Sequence, residues 1–199
     1  MLAGVLLASS AWGAAGDPLW EQSFDFLADG YNQILVWAMV ASPTTLYLAG
    51  QARHYDNSQG AIGFLKAFDA ATGTPKWDKI LTTGASYNNL YALTLDGNLL
   101  LVRGAATTYS TSYPPVYSLY KTYLRCYQAE SGQQLWEVTT DFNSNPINGF
   151  NGPLQLLVAN NLVYNLFAPV NTASVPDGTC LVRAYQERNV VVQNSLLLE

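Results

Sequence analysis

The feature that most constrains this chain is an internal repeat. Leu65-Lys66-Ala67-Phe68-Asp69-Ala70-Ala71-Thr72-Gly73-Thr74-Pro75-Lys76-Trp77 returns 59 residues later as Leu124-Arg125-Cys126-Tyr127-Gln128-Ala129-Glu130-Ser131-Gly132-Gln133-Gln134-Leu135-Trp136. A decayed third copy, Val182-Arg183-Ala184-Tyr185-Gln186-Glu187-Arg188, keeps the basic, small, aromatic and polar residues in order. Counted from its aromatic, the glycine position falls on Val190 and the tryptophan position on Asn194. The start of each unit repeats as well, as Tyr31-Asn32-Gln33-Ile34, Tyr87-Asn88-Asn89-Leu90 and Phe150-Asn151-Gly152-Pro153. A fixed period of this length belongs to solenoids and propellers, whose units each bury a face against the next.

Within a unit the pattern reads as four short strands. The first unit has them at Ile34 to Val40, Leu46 to Gln51, Phe64 to Phe68, and from Trp77 onward. They are rich in aromatic and β-branched residues and separated by Gly, Asn, Asp, Ser and Pro. No capped stretch of helical period competes. Thr72-Gly73 and Ser131-Gly132 stand where the third strand reverses into the fourth, a turn that suits glycine because positive φ costs it nothing. The fold class is therefore all-β: a β-propeller of four-stranded antiparallel blades, about three of them, partial or open, because closed propellers carry four to eight. The units span about 31–86, 87–149 and 150–199. Trp20, 57 residues before Trp77, has no unit ahead of it, so residues 16–30 read as an orphan outer strand. The expectation is that Gly16 to Phe26 pairs beside the first unit as an extra strand, with Val190 to Asn194 left as an edge strand.

The string A-x-D-x-x-T-G-x-x-x-W, carried by Ala67, Asp69, Thr72, Gly73 and Trp77, resembles the repeat of the quinoprotein-like (PQQ-like) β-propeller family, over roughly residues 16–194. The second copy departs at Gln128 and Ser131, and the third lacks glycine and tryptophan. The resemblance implies that Trp77, Gly73, Trp136, Gly132 and Trp20 are structural repeat residues fastening neighbouring blades. The family holds both quinone-dependent dehydrogenases and non-catalytic scaffolds. The dehydrogenases resemble full rings with a calcium site of Glu, Asn and Asp and a catalytic Asp, a constellation this sequence does not display. The resemblance thus favours a non-catalytic binding scaffold with no cofactor and no catalytic or metal residues; the alternative is a fragment of a quinone-dependent dehydrogenase.

Composition narrows the partners. A net charge of −5 without a basic cluster gives no electrostatic footprint for a phosphate backbone, which excludes nucleic acid as an expected partner. Residues 1–15 form an uncharged apolar stretch ending in small residues, the pattern of a secretory signal, and too short to span a bilayer. Export to a bacterial periplasm or the extracellular space is the expectation, with no transmembrane span. Cys126 and Cys180 form no CxxC motif, and a disulfide between them is left open.

Few residues offer chemistry. His54 stands alone in Arg53-His54-Tyr55-Asp56-Asn57-Ser58 with no nucleophile motif nearby and reads as a loop histidine; Asp56 and Asn57 lack the spacing of a calcium loop and read as a turn. Lys66, Arg125 and Arg183 repeat at one position, either pairing with a carboxylate or lining a channel for an anion. The largest departure from the repeat is residues 109–120, whose Tyr109, Tyr113, Tyr117 and Tyr120 make it the candidate contact loop for a protein, peptide or glycan, because tyrosine gives large contact area with a polar tip. The Pro-Gly-Asn stretch 168–179 is a second candidate loop. Open blade edges are a further route to self-association.

Overall fold

The computed structural model describes residues 18–55, 60–109, 117–142, 156–167, 180–186 and 192–198. Those residues are all-β, with a single 3-10 turn at Leu27–Asp29. The strands are β1 Gln33–Ala41, β2 Thr45–Arg53, β3 Ala61–Asp69, β4 Pro75–Leu81, β5 Tyr87–Asp96, β6 Leu99–Tyr109, β7 Tyr117–Gln128, β8 Gln134–Phe142, β9 Leu156–Ala159, β10 Leu162–Phe167, β11 Cys180–Gln186 and β12 Val192–Leu198. Each group of four pairs antiparallel in chain order, β1–β4, β5–β8 and β9–β12. The first two groups are joined into one eight-stranded sheet by a single parallel pairing, Ala61 with Tyr87. That pairing exists because the β3–β4 ladder begins only at Gly63. The sheet does not close on itself.

The join has a side-chain clamp. Asn88, 1% exposed, accepts from the Thr83 hydroxyl (2.6 Å) and the Thr83 N–H (3.1 Å). Its amide donates to the Ala85 carbonyl at 3.1 Å and the Ala61 carbonyl at 3.4 Å. The short connection between units is thereby fixed through all of the amide's hydrogen-bonding ends. In the first unit Asn32, the same position of the repeated Tyr-Asn pair, accepts from the N–H of Tyr55 at 2.9 Å.

The core lies between successive units. One buried cluster combines Tyr47, Ala49, Leu65 and Ala67 of the first unit with Leu90, Leu100, Val102 and Tyr123 of the second. Another combines Leu101, Leu124 and Cys126 of the second with Val163 and Tyr185 of the third. Strand alternation produces this: Tyr123 and Leu124 are successive residues, and they point to opposite faces, into different clusters. The first and second units also share an interior device. At Gly50 an added Cβ would lie 2.9 Å from the Phe64 ring, and at Gly104 2.4 Å from the Tyr123 ring. Each glycine lets the opposite aromatic cross its strand toward the first strand of the unit, where the Tyr123 hydroxyl donates to the Asn89 carbonyl at 3.2 Å. The same ladder position in the third unit is Phe167 opposite Leu181.

One expectation is corrected here. Residues 18–25 form no strand; an isolated bridge between Phe26 and Tyr31 is the segment's backbone pairing among the described residues. The third unit's fourth strand, expected as an edge at 190–194, is β12, Val192–Leu198, which pairs with β11 at the edge of the second sheet. Residues 1–15, including the expected signal segment, lie outside the described residues.

Candidate functional site

The geometry that the sequence repeat encodes is an indole docked on a turn. Asp69 and Gln128 end their strands, and the chain reverses through Gly73 (φ 71°) and Gly132 (φ 69°), left-handed conformations that favour glycine. Each turn is closed by a glycine N–H donating to the carbonyl four residues back, Gly73 to Asp69 at 2.9 Å and Gly132 to Gln128 at 2.8 Å. Asp69 adds a carboxylate that accepts from the N–H of Ala71 (3.0 Å), the N–H of Thr72 (2.9 Å) and the Thr72 hydroxyl (3.0 Å). The hydroxyl bond above all, then the amides and Lys76, holds its carboxyl below the usual aspartate range.

The missing Cβ makes a flat seat for a ring from the preceding stretch of chain. Trp77 of β4 lies over Gly132, where an added Cβ would fall 2.8 Å from the ring, and its Nε1–H donates to the Ala129 carbonyl at 3.1 Å. Trp20 lies over Gly73 in the same way, with 2.5 Å to an added Cβ and an Nε1–H bond to the Ala70 carbonyl at 3.0 Å. The contacts run from each tryptophan to the glycine of the following unit, so Trp20 has a partner in the first unit. Trp136 stands opposite Cys126 as Trp77 stands opposite Ala67, and it packs on the cluster that joins the second and third units. In the third unit the ladder position is Asn194, opposite Ala184.

Beside Trp20 the segment buries Phe24 and Phe26 against the first unit. Their rings approach Phe64 at 5.7 and 5.3 Å, and Phe24 approaches Phe68 at 6.1 Å. The Lys66 ammonium sits 5.2 Å from the centroids of both segment rings, a cation–π arrangement, and 3.7 Å from Asp78 across the ladder. At the same position in the second unit, Arg125 pairs with Glu137 at 2.5 Å and covers the Tyr123 ring at 4.5 Å. Two of the three repeated cations thus meet carboxylates on the neighbouring strand; the third, Arg183, stands opposite Ser195.

The tyrosine-rich segment is more regular than expected. Tyr109 ends β6, and Tyr117 and Tyr120 begin β7, with Tyr109 in register with Tyr117 and Thr107 with Tyr120. The connection itself, 110–116, with Tyr113, lies outside the described residues, as do 168–179 and Asp56 and Asn57. His54 directly follows β2, its ring 5.2 Å from Tyr55. Among the described residues no group of three or more His, Cys, Asp or Glu is placed to hold a metal ion, and no helix is long and apolar enough to cross a membrane.

Sequence reasoning passed over the aromatic pair at the inner strands. Trp37 and Tyr91 occupy the same place, the bulge where the pairing of β1 with β2 and of β5 with β6 slips, and their rings lie 6.2 Å apart. A bulge re-aims its side chain, and neither bulge is legible without the register. Burial raises the Tyr91 hydroxyl above the ordinary tyrosine range.

No protein-family model matches the chain, and no curated protein matches it. Among solved structures, the crystal structure of BamB from Moraxella catarrhalis is 8% identical, over 83% of this chain and 75% of that chain, with a TM-score of 0.19. A likeness at that score carries no argument, and the reading of the fold rests on strand pairing and the docking contacts.

Proposed function

We propose that the chain is an open segment of a quinoprotein-like β-propeller, about three four-stranded blades, exported and serving as a non-catalytic scaffold that presents loops to a protein, peptide or glycan. The observation that carries the propeller reading is the repeated docking contact: an indole of one unit seated on the turn glycine of the next, with the same hydrogen bond, at Trp20–Gly73 and Trp77–Gly132. In stacked repeat units each face is covered by a neighbour, and a contact that recurs at the same place in successive turns is what such stacking leaves in a sequence.

The scaffold reading follows from what the docking residues do. Two of the three repeated charged positions are spent within the sheets, Lys66 on Asp78 and Arg125 on Glu137, which favours recognition by the connections between strands. The connection 110–116, carried on the longest strand pair among the described residues and flanked by Tyr109, Tyr117 and Tyr120, is the leading contact element.

Two measurements test the reading. Probed on glycan and peptide arrays, the protein is expected to bind a defined class that is lost when 110–116 is replaced by Gly-Asn; undiminished binding by the replaced form refutes the loop's role. Purified protein supplied with pyrroloquinoline quinone and calcium is expected not to oxidise alcohols or sugars; calcium-dependent dye reduction above background overturns the non-catalytic reading.

A further inference from the structure

The inter-unit interface leaves an unfilled half at each of two places, and the halves match. The register aligns Met39 of β1, Leu93 of β5 and Leu156 of β9 as the same position on the same face of successive inner strands. Leu93 packs into the cluster between the first and second units and Leu156 into that between the second and third, whereas Met39 is 67% exposed. Val36 repeats the contrast: it is 48% exposed, while Leu90 at its position in β5 is 0% exposed. On the opposite face Val40 packs against the first cluster, and Leu157, its counterpart in β9, is 61% exposed. Among the described residues, the first unit therefore exposes apolar side chains on the inner part of its front, and the third exposes one on its back.

We infer that these faces bind each other between two copies of the chain, the back of one copy's third unit against the front of the other's first unit. The inference rests on the propeller reading. The argument is continuity: the same pair of faces already forms the junctions between the first and second and the second and third units. The docking residues fit this pairing. The third unit carries Asn194 where the others carry tryptophan and so brings no indole to the joint. Gly73, which would receive that indole, is already covered by Trp20. Residues 18–26 fill the outer part of the front, and the incoming unit has the inner part to cover, around Val36 and Met39. Such a contact is heterologous, using different patches on the two copies, and two copies make two of them. Six units result, within the four to eight that propellers carry.

Sedimentation velocity on the full chain at several concentrations, with Met39→Glu and Leu157→Glu variants, tests the inference. Both positions are exposed in the single chain, so each variant is expected to keep the wild-type far-UV spectrum and a cooperative melt, lowered only by the loss of the dimer; should Met39→Glu not, Met39→Gln takes its place. Wild type is expected as a dimer, and each variant alone as a monomer, its dimer weakened by at least about tenfold, because a heterologous joint loses one partner face either way. An equimolar mixture is expected to regain a dimer, since each variant retains the face the other lacks. A wild type that stays monomeric overturns the inference, as does dissociation by only one of the two substitutions, which marks a contact between like faces. The propeller reading would survive either result, because it is tested separately by the destabilisation of Trp77→Ala.

Discussion

Trp77 and Trp20 make the same contact from different backbones. Trp77 is held in β4, whose ladder with β3 runs from Pro75 to Leu81, while Trp20 sits in a segment with no strand pairing. The ring still lies over the following turn's glycine, and Nε1–H still finds the carbonyl three residues before it, at 3.1 and 3.0 Å. The comparison separates two things a repeat of this kind usually delivers together. Docking is a property of the tryptophan and its glycine seat, and the strand ladder serves to deliver the ring there. Around Trp20 the delivery is done by aromatic packing, with Phe24 and Phe26 on Phe64 and Lys66 over both rings.

The comparison yields an order of effects. Trp77→Ala is expected to be the most damaging, about 3 kcal/mol in chemical denaturation, the low end of the range for a large aromatic because the ring is only partly buried. It removes packing from the cluster joining two units and leaves the Ala129 carbonyl without its donor. Trp20→Ala should cost about half as much, ~1.5 kcal/mol, since the segment has no ladder to lose and Phe24 and Phe26 continue to hold it. A loss equal to that of Trp77→Ala would show that the two contacts are not separable from their backbones as proposed.

The smallest effect is a pH dependence that distinguishes the two turns. Asp69 gains three hydrogen bonds as a carboxylate, and its carboxyl is held below the usual range, whereas Gln128 occupies the same place in the second turn and does not titrate. A group whose folded pKa is depressed stabilises the fold above its unfolded pKa, about 3.9 for Asp, and that contribution is lost as pH falls through the lower folded value. Asp69→Asn should therefore lower the melting temperature slightly at neutral pH and lose its difference from wild type in acid. A difference that persists unchanged to low pH would assign the loss to something other than the charge.

Much of the architecture was legible because it is written twice. The 59-residue repeat located the turns, and the runs expected for the first unit lie within its strands, which extend a few residues beyond them. What resisted reading was whatever departs from the repeat or depends on register. Trp20 looked like a strand without a unit because its tryptophan was visible and the lack of a backbone ladder around it was not. Asn194 blurred the extent of the third unit's fourth strand, expected as an edge at 190–194: the tryptophan that marks its start is gone, and the strand that pairs with β11 runs from Val192 to Leu198. The stretch 109–120 read as loop because its four tyrosines break the repeat, yet tyrosine favours strands, and β6 and β7 run on into it. Trp37 and Tyr91 became a pair only through bulges at matching positions. Asn88 was in view as part of a repeated Tyr-Asn, but nothing in a sequence says that an asparagine will hold a linker with both ends of its amide.

The central claim is that indole and glycine act as one coupled unit between neighbouring four-stranded groups, and a double-mutant cycle on Trp77 and Gly132 tests it most directly. Gly132→Ala places a methyl about where the ring lies and in a left-handed backbone, so it is expected to destabilise by ~2 kcal/mol. With Trp77 already Ala the clash is gone and only the backbone strain remains. The account predicts that the double variant loses less than the two single losses combined, with a coupling of at least about 1 kcal/mol. Losses that simply add, within the usual few tenths of a kcal/mol, would contradict it and show that Trp77 and Gly132 stabilise the protein independently.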